Sequence, residues 1–160
     1  MLYIVDANNV AGKLKMLGQD NFDLKLIEIF KNFNQNKNKE IELVFDGVDM
    51  MGDRRAVDDK LSVVYAPKDD FYDSADDKIV EMTERYANRK DKEITVVTDD
   101  VGLKKRILKI GERYNKKINL EKATWWAGEL TRIDDAIDEK EELENKQINK
   151  INQELLKYWE

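Results

Sequence analysis

The stretch LYIVDANNV, residues 2–10, is an apolar, strand-like run that ends on Asp6 and is followed by two asparagines. Nearly the same arrangement returns in ELVFDG, residues 42–47, and in TVVTDD, residues 95–100. Short apolar runs of this kind are typical of strands in a sheet that is covered on both faces. The three stretches therefore predict buried strands that each end on an acid.

The ends of these strands predict a cation site. In a parallel sheet all carboxyl ends open on one edge, where open α/β folds bind their ligands. We expect Asp6, Asp46 and the pair Asp99 and Asp100 on that edge. Clustered carboxylates repel one another, and a divalent cation removes that repulsion. Oxygen ligands of this kind favour Mg²⁺ or Mn²⁺.

Further ligands can reach the same edge from two segments. A helix is predicted to begin at Ser74, because Ser74 and Asp77 fit a capping box and an apolar stripe follows at helical spacing. The segment after the first strand adds two amides. The side chains that these segments can contribute are Asp73, Asp76, Asp77, Asn8 and Asn9.

Apolar spacing and turn residues predict the rest of the chain. Strands that alternate with helices through short connections predict a three-layer α/β sandwich with a mostly parallel central sheet. We expect residues 1–130 to form this domain and residues 131–160 to form a C-terminal helical extension, which packs on the same domain or docks a partner. The predicted elements are strands over 2–6, 41–46, 61–66, 94–98 and 118–120, helices over 22–33, from 74 and over 100–114, a polar connection over 34–39, a loop over 46–59 and one long C-terminal helix.

Composition excludes several kinds of chemistry. A chain of 160 residues predicts one domain with its own core. The absence of cysteine and histidine excludes disulfides, thiol nucleophiles, cysteine zinc sites and histidine bases. No apolar run approaches the ~18 residues that span a bilayer, and the first residues lack the features of a signal peptide. We therefore expect a cytoplasmic protein without a membrane-spanning segment.

Charge is unevenly distributed along the chain. The net charge is −6, yet residues 100–122 carry eight Lys and Arg against three acids. Residues 134–144 reverse this balance, with seven acids against one Lys. A local basic face can bind phosphate even on an acidic protein. Lys105, Lys109 and Arg113 follow i, i+4 spacing and are expected to track a phosphate backbone.

Each of these features also has a structural interpretation. An aspartate after a strand often caps a helix, and for Asp76, Asp77, Asp99 and Asp100 taken singly this role is at least as common as catalysis. Basic side chains opposite an apolar stripe are usually a solvated face. The tryptophan pair at 125–126 is interpreted as core or interface rather than as a base-stacking platform.

Four motifs, VDANN (5–9), VFDG (44–47), SADD (74–77) and VVTDD (96–100), follow one another along the chain. In that order they resemble the motifs of the NYN branch of the PIN-like nucleases, closest to the YacP-like bacterial ribonucleases. The resemblance covers roughly residues 1–130. It departs after the first aspartate, where the family's small residue and aromatic are an alanine and an asparagine.

The resemblance implies a PIN-like fold and metal-dependent hydrolysis of RNA by an endoribonuclease. One or two Mg²⁺ or Mn²⁺ ions would activate water for in-line attack. The implied catalytic residues are Asp6, Asp46, Asp76 and Asp100. The implied metal ligands are Asp6, Asp76 and Asp100, with Asp77 in the same acidic motif and Asp99 if the register shifts by one residue. The implied substrate contacts are Asn9, Asn8, Thr98, Arg54, Arg55, Lys104, Lys105 and Arg106.

Two other functions compete with this one. A non-catalytic α/β module that binds RNA or protein would use the same acids only as helix caps. A phosphatase of the haloacid dehalogenase type requires Asp-x-Asp-x-Thr, whereas Asp6 is followed by Ala7, Asn8 and Asn9. The sequence leaves open whether a ribosome, another protein or a second copy in a homodimer is a partner besides RNA.

Overall fold

The computed structural model describes residues 1–47, 52–68 and 74–159. The strands are β1 (Leu2–Asp6), β2 (Glu40–Phe45), β3 (Asp53–Ala56), β4 (Leu61–Tyr65), β5 (Ile94–Val97) and β6 (Ile118–Glu121). The helices are α1 (Ala7–Lys13), α2 (Phe22–Lys37), α3 (Ala75–Ala87), α4 (Val101–Tyr114) and α5 (Ala123–Trp159).

Within the described residues, six strands form one sheet in the order β3-β4-β2-β1-β5-β6. Strand β1 pairs in parallel with β2 on one side and with β5 on the other, and β4 and β6 extend the parallel sheet outward. Only the β3–β4 pair of this sheet is antiparallel. The chain adds strands first on one side of β1 and then on the other, so the strand order reverses at β1. This confirms the predicted mostly parallel sheet.

Two apolar cores cover the sheet, one on each face. On the first face Val5 and Leu43 pack against residues of α1, α2 and α5, including Phe30 and Trp126. On the second face residues such as Ile4 pack against α3 and α4. Each large apolar side chain that is fully buried in this way contributes about 1.5–3 kcal/mol. The molecule is therefore the predicted three-layer α/β sandwich.

Two elements of the structure were not predicted. Helix α1 follows β1 directly, and its seven residues include two asparagines and a glycine, which are poor helix formers. Strand β3 lies inside the predicted loop 46–59, and all four of its residues are exposed, so it shows no apolar alternation. It forms because it pairs with β4 at the edge of the sheet. Residues 48–51 of that loop lie outside the described residues.

Helix α2 runs to Lys37, one turn beyond the predicted end at residue 33. The side chain of Asn34 is buried, donates a hydrogen bond to the carbonyl of Lys39 (2.8 Å) and accepts one from the Lys39 amide (2.9 Å). These bonds hold the chain as it leaves the helix. The predicted polar connection over 34–39 is therefore mostly helix, because one buried asparagine organises it.

Helix α5 is the predicted long C-terminal helix, 37 residues from Ala123 to Trp159. Its buried residues all lie in the first eight positions, the last of them Leu130. Ile133 still packs against the first core, but from Leu143 onward the large apolar side chains, such as Ile151 at 56% exposure and Leu155 at 52%, face solvent. Of the two expected alternatives, packing on the same domain is not seen for these residues, and docking on a partner stays a prediction. No helix in the described part of the chain is both long enough and apolar enough to cross a membrane.

Candidate active site

The carboxyl ends of β1, β2 and β5 lie side by side, because β2 and β5 are the two neighbours of β1. Asp6 is the last residue of β1, Asp46 follows β2, and Thr98 follows β5. Asp6 is only 5% exposed, whereas Asp46 is exposed. The strand-end pattern in the sequence thus brings its acids to one edge of the sheet.

Both carboxylate oxygens of Asp6 accept hydrogen bonds. Thr98 Oγ1 donates to Oδ2 at 3.0 Å, and the Asn9 backbone N–H donates to Oδ1 at 3.3 Å. Burial nevertheless raises the pKa of Asp6 from 3.8 to about 7, because the charged form loses its hydration. The hydrogen bond from Thr98 opposes this shift, and the negative charges of Asp76 and Asp46 add to it.

Asp76 and Asp100 complete the acidic cluster. The pKa of Asp76 is raised, first by burial and then by the charges of Asp100 and Asp46. Asp100 Oδ1 accepts a hydrogen bond from the Leu103 backbone N–H at 2.7 Å and caps α4. Asp46 and Asp76 thus act electrostatically on Asp6, and Asp46 and Asp100 act on Asp76, which requires each of these pairs to lie near one another.

The two asparagines after Asp6 connect the three strand ends. Asn8 Oδ1 accepts a hydrogen bond from the Asp46 backbone N–H, and Asn9 Oδ1 accepts one from the Asp99 backbone N–H, both at 2.9 Å. Because the amide oxygens are used in this way, each side-chain NH₂ group points away from these bonds. Both asparagines are half-buried. This bracing role was not predicted from the sequence.

Hydrogen bonds also fix the start of α3 at the same edge. Asp46 Oδ1 accepts from the Ala75 backbone N–H at 2.7 Å, and Ser74 Oγ accepts from the Asp76 backbone N–H at 3.2 Å. The predicted cap at Ser74 is confirmed, although its partner is the amide of Asp76 rather than that of Asp77. Asp73, a further predicted ligand, lies outside the described residues.

Asp99 and Asp77, two of the predicted metal ligands, are bound to other side chains. Asp99 Oδ2 accepts hydrogen bonds from the Thr124 hydroxyl and from the Thr124 backbone N–H (3.0 Å), and Lys13 Nζ lies 3.7 Å away. Desolvation raises the pKa of Asp99, but these contacts outweigh it, so the net shift is downward. Asp77 forms an ion pair with Arg106 at 2.9 Å.

All three arginines among the predicted substrate contacts form ion pairs within the protein, Arg106 with Asp77 as described above. Arg54 Nη2 lies 2.5 Å from Glu42 Oε1, whose side chain is buried, and Arg55 pairs with Asp53 at 3.1 Å. On α4, Lys104 is half-buried and Lys105 is exposed. The predicted arginines are therefore held in ion pairs within the protein, although Arg55 keeps 64% of its side chain exposed.

The donor chemistry of the edge fits a divalent cation such as Mg²⁺ or Mn²⁺. The acids offer only oxygen atoms, and the raised pKa of Asp6 shows that negative charge is unfavourable there without a counter-charge. Among residues 1–47, 52–68 and 74–159, however, no group of three or more acids is placed so that it could hold a metal ion. Mg²⁺ is compatible with fewer protein ligands, because it keeps several waters and takes one or two carboxylates plus substrate phosphates.

Comparisons with known proteins identify the family. The model of the YacP-like NYN domain matches residues 3–160. Among solved structures, the chain is similar to the crystal structure of Rae1 (YacP) from Bacillus subtilis, a tryptophan-to-leucine mutant. The two are 19% identical with a TM-score of 0.62, over 92% of this chain and 85% of that chain. A comparison with the curated proteins finds no match. The chain therefore belongs to the YacP-like NYN domain family, which points to a nuclease-like function related to RNA.

Proposed function

We propose that this protein is a metal-dependent endoribonuclease that hydrolyses RNA phosphodiester bonds at the carboxyl edge of its sheet. The observation that carries the proposal is the coupled set of acids around Asp6. Burial and the charges of Asp76 and Asp46 raise the pKa of Asp6 to about 7. A folded protein that holds such mutually repelling carboxylates together is stabilised when a cation binds between them.

In this proposal Asp6, Asp76 and Asp100 hold one or two Mg²⁺ or Mn²⁺ ions, with Asp46 alongside. When bound, the metal supplies an activated water and stabilises the leaving oxygen of an in-line displacement. Asp99 and Asp77 are weaker candidates for ligands, because their carboxylates already bind Thr124 and Arg106.

The neighbouring polar residues position the acids and the substrate. Thr98 is fully buried, so it acts by holding Asp6 rather than by touching phosphate. Asn8 and Asn9 brace the strand ends through their oxygens, and their NH₂ groups are proposed to donate to the scissile phosphate. Lys104 and Lys105, at the start of α4, are proposed to contact the RNA backbone.

The alternative is a non-catalytic module in which the acids only cap helices. A specific observation favours it, since Asp6 caps α1, Asp100 caps α4 and Asp46 binds the first amide of α3. The two functions make opposite predictions for aspartate-to-asparagine substitution. Asparagine caps a helix about as well as aspartate, but it removes the charge that a metal needs.

The first experiment measures cleavage of labelled RNA with Mn²⁺ and with EDTA. We expect the wild type to cleave internally and EDTA to stop it. Asp6→Asn and Asp100→Asn should each lower the rate by about 100-fold or more. Substituting a residue that only orients a metal ligand already lowers metal affinity or activity by about 10–100-fold. Asp135→Asn, an exposed acid of α5, is the control and should cleave like the wild type.

A second readout does not depend on activity. Mn²⁺ should raise the thermal midpoint of the wild type and of Asp135→Asn but not that of Asp6→Asn. Comparing Asp99→Asn with Asp100→Asn in the same assay decides which of the pair binds the metal. If Mn²⁺ raised the thermal midpoint of the wild type and of Asp6→Asn equally, and both cleaved RNA equally, Asp6 would have no role beyond capping its helix.

A further inference from the structure

The structure separates the two tryptophans that start α5. Trp126 is 1% exposed, packs against Phe30, Phe33 and Tyr3, and donates a hydrogen bond from Nε1 to Glu121 Oε2 at 2.6 Å. It is a core residue, as expected. Trp125 is 56% exposed, and its ring meets that of Trp126 edge-on. Because its ring lies largely in solvent, Trp125 adds little to the core that Trp126 forms.

Trp125 lies at the same edge of the sheet as the acids. Strands β5 and β6 are parallel, so the start of α5, just after β6, stands beside the end of β5. Thr124, the residue before Trp125, donates two hydrogen bonds to Asp99. Thr98, the residue before Asp99, donates to Asp6. The exposed indole is therefore connected with Asp6 through two hydrogen-bonded contacts, Thr124 with Asp99 and Thr98 with Asp6.

The surroundings of Trp125 suit a flat, uncharged group attached to phosphates. An open depression of about 360 Å³ is lined by Glu121, Lys122 and Trp125. Lys122 is exposed beside it, and Lys13, whose Nζ is 3.7 Å from Asp99 Oδ2, keeps 44% of its side chain exposed. Lys122 therefore shares the depression with the exposed ring, while Lys13 lies at Asp99, the partner of Thr124. An exposed aromatic ring with a cation beside it is a combination that binds single-stranded nucleic acid by stacking and charge.

We propose that Trp125 is a stacking platform for an unpaired nucleobase of the RNA whose phosphate lies at the acidic cluster. The proposal rests on the function proposed above and adds a substrate requirement to it. At least one base beside the cleavage position must be unstacked from its neighbours and free to lie on the indole. Since every base has an aromatic face, the platform selects single-stranded over duplex RNA but does not read sequence.

The test uses two labelled strands of equal length, a single-stranded RNA and an abasic strand with the same ribose-phosphate backbone. Binding is measured by fluorescence anisotropy in Ca²⁺, which suppresses cleavage. The variants are Trp125→Ala, Trp125→Phe and the control Leu156→Ala, which removes an exposed apolar side chain from the distal part of the same helix. A thermal melt of each variant verifies that it is folded.

We expect Trp125→Ala to bind the RNA about 5- to 100-fold more weakly, Trp125→Phe to lose much less, and Leu156→Ala to match the wild type. All four proteins should bind the abasic strand equally. The salt dependence of RNA binding should be unchanged, because no cation is removed. If the Ala variant does not fold, Trp125→Leu, which keeps apolar bulk but has no aromatic face, replaces it and should show the same loss.

Two results would overturn the platform. One is Trp125→Ala binding the RNA as tightly as the wild type, and the other is the same loss on the abasic strand as on the RNA. Either result leaves ribonuclease activity intact, since cleavage by the wild type is measured separately. A wild type that neither binds nor cleaves RNA would overturn the platform together with the proposed function.

Discussion

A buried carboxylate such as Asp6 is unfavourable unless hydrogen bonds or a nearby cation compensate for its lost hydration. Thr98 and the Asn9 amide compensate only in part, because the pKa of Asp6 still rises to about 7. The metal-free protein therefore binds a proton at Asp6 that the unfolded chain releases near pH 4. The stability of the fold and the proposed metal site are thus linked through one group.

This linkage predicts how the stability of the metal-free protein depends on pH. The folded state binds more protons than the unfolded state between about pH 4 and pH 7, so the free energy of unfolding falls as pH rises through that window. Raising the pKa of one group from 3.8 to about 7 lowers the free energy of unfolding by about 4 kcal/mol in total over this window. Asp6→Asn does not titrate, so it should gain stability relative to the wild type as pH rises.

The measurement is urea denaturation of both proteins in EDTA at several pH values. The difference between the two unfolding free energies removes the contribution of the other carboxylates they share. A difference that stays constant from pH 4 to pH 8 would mean that Asp6 is ionised throughout, and the pKa argument for a cation site would be lost.

Thr98 is the residue on which the geometry of the cluster depends. Its hydroxyl donates to Asp6 and accepts from the Asp100 backbone N–H at 3.1 Å. Thr98→Val keeps the shape but leaves both partners unsatisfied, so it should destabilise the metal-free protein by about 1–3 kcal/mol. The loss should be larger at pH 8 than at pH 4, because Asp6 is then charged. Thr98→Ser, which keeps the hydroxyl, should lose much less in the same urea titrations.

At the residue scale the sequence predicts which acids reach the edge but not how they are held. Asp6, Asp46 and Asp100 were predicted because each follows an apolar strand. The bracing bonds of Asn8 and Asn9 were not, because they join residues far apart in sequence. Asp99 and Asp100 are adjacent but have different partners. Asp99 binds Thr124 at the start of α5, whereas Asp100 caps α4.

At the scale of elements, periodicity predicts those that bury a face and misses those that depend on a neighbour. Helix α4 was predicted because Leu103, Ile107 and Ile110 form a buried stripe. Helix α1 buries Ala7, Val10 and Ala11, but it is only seven residues long, so its apolar spacing is too short to stand out in the sequence, and Asp6 caps it. Strand β3 carries only exposed residues. It forms because its backbone pairs with β4, since its side chains bury no apolar face.

Helix α4 also allows a refined test of the predicted basic face. Arg113 forms an ion pair with Glu84 of α3 at 2.7 Å, so reversing its charge would also place two acids side by side and is left out of the test. Lys105 and Lys109 are exposed, and we expect their double charge reversal to weaken RNA binding across sequences. The slope of log affinity against log salt should flatten by about 1–2, since fewer counterions are released.

The matched control reverses two exposed lysines of α2, Lys31 and Lys37, on the opposite face of the sheet. It changes net charge by the same amount, so it separates a local contact from a general repulsion of RNA. Similar losses in both double variants would show that α4 carries no specific phosphate contact. Mn²⁺-induced stabilisation should survive in both.

At the scale of the whole molecule, α5 joins a packed domain to a solvated helix. Its first eight residues complete the core beside α1 and α2, and beyond Leu130 the described residues carry no buried side chain. The predicted division at residue 130 falls just after that last buried side chain. Sequence periodicity predicted the helix itself, because apolar residues recur at helical spacing over its distal half. It could not predict that the domain leaves this stripe uncovered, since that depends on the direction in which α5 leaves the sheet.

The exposed half of α5 predicts that the domain folds without it. Ending the chain after Asp138 removes no buried side chain, so the free energy of unfolding should change by less than about 1 kcal/mol. Ending it after Thr131 also removes Ile133, which packs against the first core, and should cost about 1–3 kcal/mol. Both chains keep Trp126, whose fluorescence reports unfolding in urea. If the chain that ends after Asp138 were as unstable as the one that ends after Thr131, the prediction would fail, because residues 139–160 would then stabilise the domain. If only the full chain showed a mass that rises with concentration in light scattering, residues 139–160 would be the cause, because they are what the truncation removes.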